Sequence, residues 1–189
     1  MTLTDRQFDP HRDWFSQHRR AWTAALARWA GQPDVHALEI GAFEGRSACW
    51  LCDHVLTGPG STLTCVDPWG SKWAGDVEEA RFDLNTAPLP VTKIKGTSRI
   101  VLPRLAVEGR LFDFAYVDGD HRASECLWDL VLCWHLLRPG GLLIVDDYLW
   151  TDPSVPIPPR PAIDGFVAAY RDQIRHVSQS QCGQVFLWK

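Results

Sequence analysis

The stretch His36-Ala37-Leu38-Glu39-Ile40-Gly41-Ala42-Phe43-Glu44-Gly45-Arg46-Ser47 decides the fold. An apolar run through Ala37, Leu38 and Ile40 stops at Gly41, a second glycine follows at Gly45, and Ser47 opens a helical pattern that runs to residue 56. The order is strand, glycine turn, helix. Outward from this unit the alternation repeats: strands over 62–67, 91–95, 112–118 and 142–146, separated by a helix ending near Asn85 and helices over 98–106 and 123–137. The turn Arg138-Pro139-Gly140-Gly141 precedes the last of these strands. Alternating elements with short links predict an α/β fold, with a mostly parallel sheet and helices on both faces.

The two ends extend this picture. Upstream, Trp14, Phe15, His18, Trp22, Ala25, Leu26 and Trp29 share one face of an expected helix over 14–29, within a helical arm formed by residues 1–30. That stripe suits core packing or a homodimer surface more than a pocket wall. Downstream, residues 148–162 carry Pro153, Pro156, Pro158, Pro159 and Pro161, a spacer or a lid over the strand ends. A helix over 162–173 follows, and strands over 175–178 and 184–188 around Gly183 should close an antiparallel hairpin. The sheet then has seven strands, and 189 residues suit a single domain over 1–189.

Composition narrows the function. The chain is 46% apolar and 22% charged, an ordinary globular balance, and its net charge of −4 includes no basic run able to neutralise a row of phosphates. Nucleic acid is therefore not the expected partner. No apolar h-region opens the sequence and no uncharged apolar stretch is long enough to span a bilayer, so a cytoplasmic protein with no membrane association is expected. In that compartment the six cysteines should be free thiols.

Ligands of open α/β sheets bind beyond the carboxyl ends of the strands. Here the first strand ends in glycines that let a backbone approach a ligand, at the start of a helix, and the second ends in Asp67, an acceptor suited to ribose hydroxyls. The same residues also suit a tight turn and a strand cap. The loop spacing E-x-G-x-x-x-G differs from the G-x-G-x-x-G of dinucleotide sites, which counts against a nicotinamide-dependent oxidoreductase.

On three segments the chain resembles the class I S-adenosylmethionine (SAM)-dependent methyltransferases. Residues 38–47 are similar to the motif E-x-G-x-x-x-G-x-S of the catechol and caffeoyl-CoA O-methyltransferase group. Residues 113–121 and 136–150 are similar to that group's fourth and fifth strands, and sugar and antibiotic O-methyltransferases are similar in the same places. The resemblance covers about residues 36–150 and implies a Rossmann-like methyltransferase sheet. It further implies that Glu39, Gly41 and Ser47, with Ala42, Phe43 and Gly45 of the same loop, surround the methionine end of SAM. By the same resemblance Asp67 and Pro68 hold its ribose side, Gly96, Thr97 and Ser98 lie near adenine, and Asp118 closes the site.

Asp118, Asp146 and Asp147 end two adjacent strands, and three crowded carboxylates repel one another unless a cation joins them. Oxygen ligands in small number favour Mg²⁺ or Mn²⁺. The alternative is that Asp118 and Asp147 cap helices while Asp146 is solvated. Asp147 replaces the asparagine usual in the catechol group. His121 stands where that group has a lysine base, and its imidazole accepts a proton near neutral pH; Asp120 is the competing candidate base. Together these readings point to O-methylation of a small-molecule hydroxyl, with a metal-independent N- or O-methyltransferase and a non-catalytic cofactor-binding protein as alternatives. The N-P-P-aromatic motif of nucleic-acid amino-methyltransferases is absent.

Cys49 and Cys52 have redox spacing but sit inside the first helix of the alternation, and Cys126 and Cys133 lie on a very apolar helix; core packing is expected for all four. Trp69, Trp73 and Trp150 fall on loops at the ligand end, as pocket walls or as packing under loops.

Overall fold

Alternation within single strands divides the core between the two faces of the sheet. In β1 (His36–Ile40), Ala37 joins one apolar cluster while Leu38 and Ile40 join the other; in β4 (Phe112–Val117), Phe114 and Tyr116 face one side and Ala115 and Val117 the opposite side. The computed structural model describes residues 6–71 and 74–189. β2 (Thr62–Asp67), β3 (Val91–Lys95), β5 (Leu137–Val145), β6 (His176–Gln179) and β7 (Val185–Trp188) complete a seven-stranded sheet of order β3-β2-β1-β4-β5-β7-β6. The first five are parallel, and β7 runs antiparallel to both β5 and β6. The sequence-based expectation of a mostly parallel seven-stranded sheet with a C-terminal hairpin holds.

Helices cover both faces. Trp22 of α1 (Arg19–Ala25), Leu51 of α2 (Arg46–His54) and Phe82 of α3 (Asp76–Thr86) pack on the Phe114 side. Leu102 of α4 (Ser98–Val107), Leu130 and Trp134 of α5 (Ala123–Leu136), and Phe166 of α6 (Arg160–Ala169) pack on the Val117 side. Burial at this density supplies most of the favourable free energy of the fold. Five of the six cysteines are buried, none is disulfide-bonded, and burial pushes Cys49 and Cys52 up to about 12, which removes thiolate chemistry at that pair.

Helix ends shift by a few residues, α6 stopping at Ala169 rather than at 173, and two elements differ more substantially from the expectation. The N-terminal helix is shorter than 14–29: a 3₁₀ turn over Ser16–His18 leads into α1, and the chain then turns so that Trp29 packs on Phe114 with ring centroids 5.4 Å apart. Of its apolar stripe, Phe15, Trp22, Leu26 and Trp29 are buried within the chain, while Trp14 is 51% exposed. β5 begins at Leu137, ahead of the expected glycine turn, because β4 advances from Phe112 to Phe114 while β5 advances from Leu137 to Leu142, which absorbs the turn as a bulge. Gly140 supplies the positive φ of +79° that this excursion uses.

Strand order reverses between β1 and β4, which opens a crevice at the carboxyl ends of these strands. The arm before α1 crosses toward this end. Asp9 N–H donates to Glu44 Oε2 at 2.8 Å, Arg46 Nη2 donates to the Asp9 carbonyl at 2.9 Å, and Arg12 pairs with Glu78 at 2.9 Å. No helix among the described residues is long and apolar enough to cross a membrane.

Candidate active site

The glycine loop after β1 is held from below. Gly41 has φ +84°, and a Cβ there would lie 1.8 Å from the Asp118 carbonyl oxygen, so β1 and β4 come together only over a residue without a side chain. Asp67 then fixes the loop: its Oδ2 accepts the N–H groups of Ala42 at 2.9 Å and Phe43 at 3.0 Å, and its Oδ1 accepts that of Trp69 at 2.8 Å. Trp69 is buried, packs on Phe82 and donates its indole N–H to the Phe43 carbonyl at 2.9 Å, a loop-supporting role. Glu39 lies beneath, sealed from solvent, accepting from Ser47 Oγ and, at 3.2 Å, from Cys65 Sγ. Burial raises its carboxyl to about 7, against the pull of those two donors.

Above this loop a cleft of about 1060 Å³ follows the strand ends. Gly41, Phe43, Asp67, Pro68, Thr97 and Ser98 line it on the β1 and β2 side of the crevice. Glu39, Ala42, Gly45, Ser47 and Gly96 are not in its wall: the first four belong to β1, the loop and α2 behind it, with Gly45 at φ +78° before α2 where a Cβ would lie 3.0 Å from the Phe82 ring, and Gly96 N–H donates to the Asp67 carbonyl at 3.0 Å. The start of α2 offers backbone N–H groups without helical partners, which suit an anionic group.

On the β4 and β5 side the cleft is lined by Asp118, Asp120, His121, Asp146, Asp147 and Trp150. Asp118, His121 and Asp147 bring one ligand atom each to within 4.8 Å of one another, with His121 Nε2 at 3.0 Å from Asp147 Oδ2 and 4.0 Å from Asp118 Oδ1. Asp147 adopts φ +64°, an uncommon conformation for a residue with a side chain. Burial, then the neighbouring charges of Asp146 and Asp147, hold the Asp118 carboxyl well above the usual range, and burial with Asp146 raises Asp147 to about 7. The crowded oxygens of Asp118 and Asp147 are donors that fit a divalent cation, with the His121 imidazole beside them as a further ligand or as a proton acceptor.

Asp146 sits to one side of that trio. Its Oδ2 accepts from the Tyr116 hydroxyl at 2.6 Å and from Gln184 Nε2 at 2.7 Å, and Tyr116 also contacts Asp118 Oδ2 at 2.8 Å. Asp120 is turned to Arg122, whose Nε and Nη2 donate to it at 2.9 and 2.6 Å; these hydrogen bonds hold its carboxyl below the usual range. His121 instead faces the cluster, with the Trp150 ring edge-on at 4.5 Å. Trp73 lies outside the described residues.

Sequence reasoning did not single out Trp14, Gln17 and His18 of the arm as cleft-lining residues, nor Tyr116 and Gln184 as partners of Asp146. The only signal available was a histidine on an apolar stripe. His18 is 2% exposed, its Nε2 lies 3.8 Å from Asp146 Oδ2, and burial depresses its pKa against the attraction of that carboxylate.

Comparison with known proteins agrees with this architecture. Catechol O-methyltransferase domain-containing protein 1 of Mus musculus is 34% identical over 122 residues, which are 60% of this chain and 42% of that protein. An uncharacterized protein of Acanthamoeba polyphaga mimivirus is 24% identical over 126 residues, 65% of this chain and 56% of its own length. The chain thus spans about half the length of these curated relatives. Among solved structures, an O-methyltransferase from Bacillus cereus in complex with SAH has a TM-score of 0.67 at 19% identity, covering 98% of this chain and 84% of that one. The O-methyltransferase TomG from Streptomyces achromogenes, involved in tomaymycin synthesis and in complex with SAM, gives 0.65 at 21% identity over 91% and 78% of the two chains. MycE from the mycinamycin biosynthetic pathway, in complex with Mg, SAH and mycinamycin VI, gives 0.67 at 17% identity over 96% and 51%. These structures share the fold. Residues 38–148, which run from β1 through Tyr148 and include every strand-end residue described above, match the family described as a methyltransferase domain, and the chain belongs to that family.

Proposed function

We propose that this chain is a SAM-dependent O-methyltransferase that acts on a hydroxyl of a small molecule with the aid of Mg²⁺ or Mn²⁺. The observation that carries the reading is that one cleft joins the glycine loop and Asp67 to the Asp118–His121–Asp147 cluster. The B. cereus, TomG and MycE structures, with SAH, SAM and Mg among their ligands, support it. SAM supplies a methyl carbon on a cationic sulfonium. Phe43, Asp67 and Pro68, with Thr97 and Ser98, bind the donor. Asp118 and Asp147, with Asp146 alongside, would hold the metal, which would supply Lewis-acid polarisation of the acceptor hydroxyl. His121 takes the hydroxyl proton on its ring nitrogen; the acceptor oxygen bonds to the methyl carbon as the carbon–sulfur bond breaks, leaving SAH. Asp120 contributes no base, since Arg122 occupies its carboxylate. Trp150 and Leu149 add apolar surface to the wall beside these groups.

A second reading is favoured by the 3.0 Å contact of His121 with Asp147, which orients the imidazole as a carboxylate-backed base able to act without metal. Transfer of labelled methyl from SAM to a panel of small phenols, catechols and sugars separates the two. Loss of all turnover in EDTA, with recovery in Mg²⁺ or Mn²⁺, is the expected result. Full turnover in chelator would establish the metal-independent reading.

A further inference from the structure

His18 is enclosed, lines the cleft, and is used by nothing described so far. A neutral imidazole has one donor and one acceptor nitrogen, and buried polar atoms are nearly always partnered. Here Nε2 meets Gln17 Nε2 at 3.3 Å and approaches Asp146 Oδ2 at 3.8 Å, while Nδ1 is buried with no hydrogen-bond partner among the described residues. The ring is placed by packing, since Phe15 and Trp22 on either side of it in sequence are core residues whose rings meet edge-on at 4.9 Å. Asp146 is fixed too, by Tyr116 and Gln184, and Gln184 Oε1 accepts the Trp22 indole N–H at 2.8 Å. His18 and Asp146 are therefore held from the same buried network. The unpartnered nitrogen stands across the ring from the Nε2 that approaches Asp146, on a residue that lines the same cleft as Asp118, His121 and Asp147.

We propose that His18 is an acceptor-binding residue, whose free ring nitrogen hydrogen-bonds a second polar group on the acceptor beside the hydroxyl that is methylated. The inference rests on the methyltransferase reading above and adds to it a specificity contact delivered by the N-terminal arm. An acceptor with an adjacent hydrogen-bonding group satisfies the buried nitrogen; one without it leaves the nitrogen unpaired and is disfavoured.

The test uses the full chain with SAM and Mg²⁺, with catechol and phenol as the probe pair. His18→Phe keeps a ring of similar outline, and His18→Asn returns a polar atom close to the position of Nδ1. Wild type should favour catechol over phenol in kcat/KM by roughly tenfold or more, the amount one hydrogen bond supplies. In His18→Phe that ratio should collapse through a higher KM for catechol, and His18→Asn should restore most of it. SAH affinity, measured by calorimetry, should be the same in all three proteins. An equal fall for both probes would make His18 a structural residue and overturn the proposal. So would a fall in SAH affinity, which would assign His18 to the donor side, or a wild type that does not discriminate or turns over neither probe while binding SAH. Absence of SAH binding by wild type would instead remove the methyltransferase reading, and this inference with it.

Discussion

Glu39 illustrates how one acid can be structural at the edge of a ligand site. It is sealed between Ser47 and Cys65, and burial raises its carboxyl from 4.5 to about 7. The folded state therefore favours the protonated form: the contribution to stability is complete below the ordinary carboxyl range and is lost as pH rises through about 7. Comparing Glu39→Gln with wild type by urea unfolding isolates this group. The stability of wild type relative to the variant should fall by roughly 3 kcal/mol from acidic to mildly alkaline pH; a difference that does not change with pH would refute the assignment. The two candidate bases separate at the same scale. Because Arg122 engages both oxygens of Asp120 while His121 faces Asp147 and Asp118, His121→Ala should lower kcat/KM by roughly 10² to 10⁴, and Asp120→Asn should change it little. A large loss in Asp120→Asn with a mild one in His121→Ala would reverse the roles.

Between elements, the junction of β1, α2 and β4 depends on Gly41. A methyl group there would overlap the Asp118 carbonyl at 1.8 Å with φ already at +84°. Gly41→Ala should therefore destabilise the fold by more than about 3 kcal/mol, read from the midpoint of chemical denaturation; a midpoint within error of wild type would mean that the two strands do not close over this residue. β3 runs over Val91–Lys95 as its bounded pattern predicts, because β-branched Val91, Thr92 and Ile94 between turn signals need little tertiary information. The N-terminal helix was overextended in sequence reasoning because its aromatic periodicity continues past Ala25, whereas packing of Trp29 on Phe114 bends the chain. Asp146 was legible as a strand-end acid, yet its partners were not. Gln184 reaches it because Val145 pairs with Val185 across the antiparallel β5–β7 ladder, a register that the local pattern of neither strand specifies.

At the scale of the molecule, the strand order turns a linear motif into a site. β2 and β1 bring Asp67 and the glycine loop to one half of the cleft, β4 and β5 bring Asp118 and Asp147 to the other, and the arm crosses with His18 on a face that no strand supplies. His18 escaped sequence reasoning for this reason: its proximity to Asp146 spans most of the chain and exists only after the arm has packed through Trp22 onto Gln184 and Tyr116. The account makes this cleft the binding place of a sulfonium nucleoside. Isothermal titration of the full chain with SAH, with NAD in a parallel titration, tests that most directly. Saturable one-to-one binding of SAH in the micromolar range, weakened in Asp67→Ala and accompanied by no response to NAD, is the predicted result. No heat with SAH, or saturable binding of NAD in its place, would contradict it.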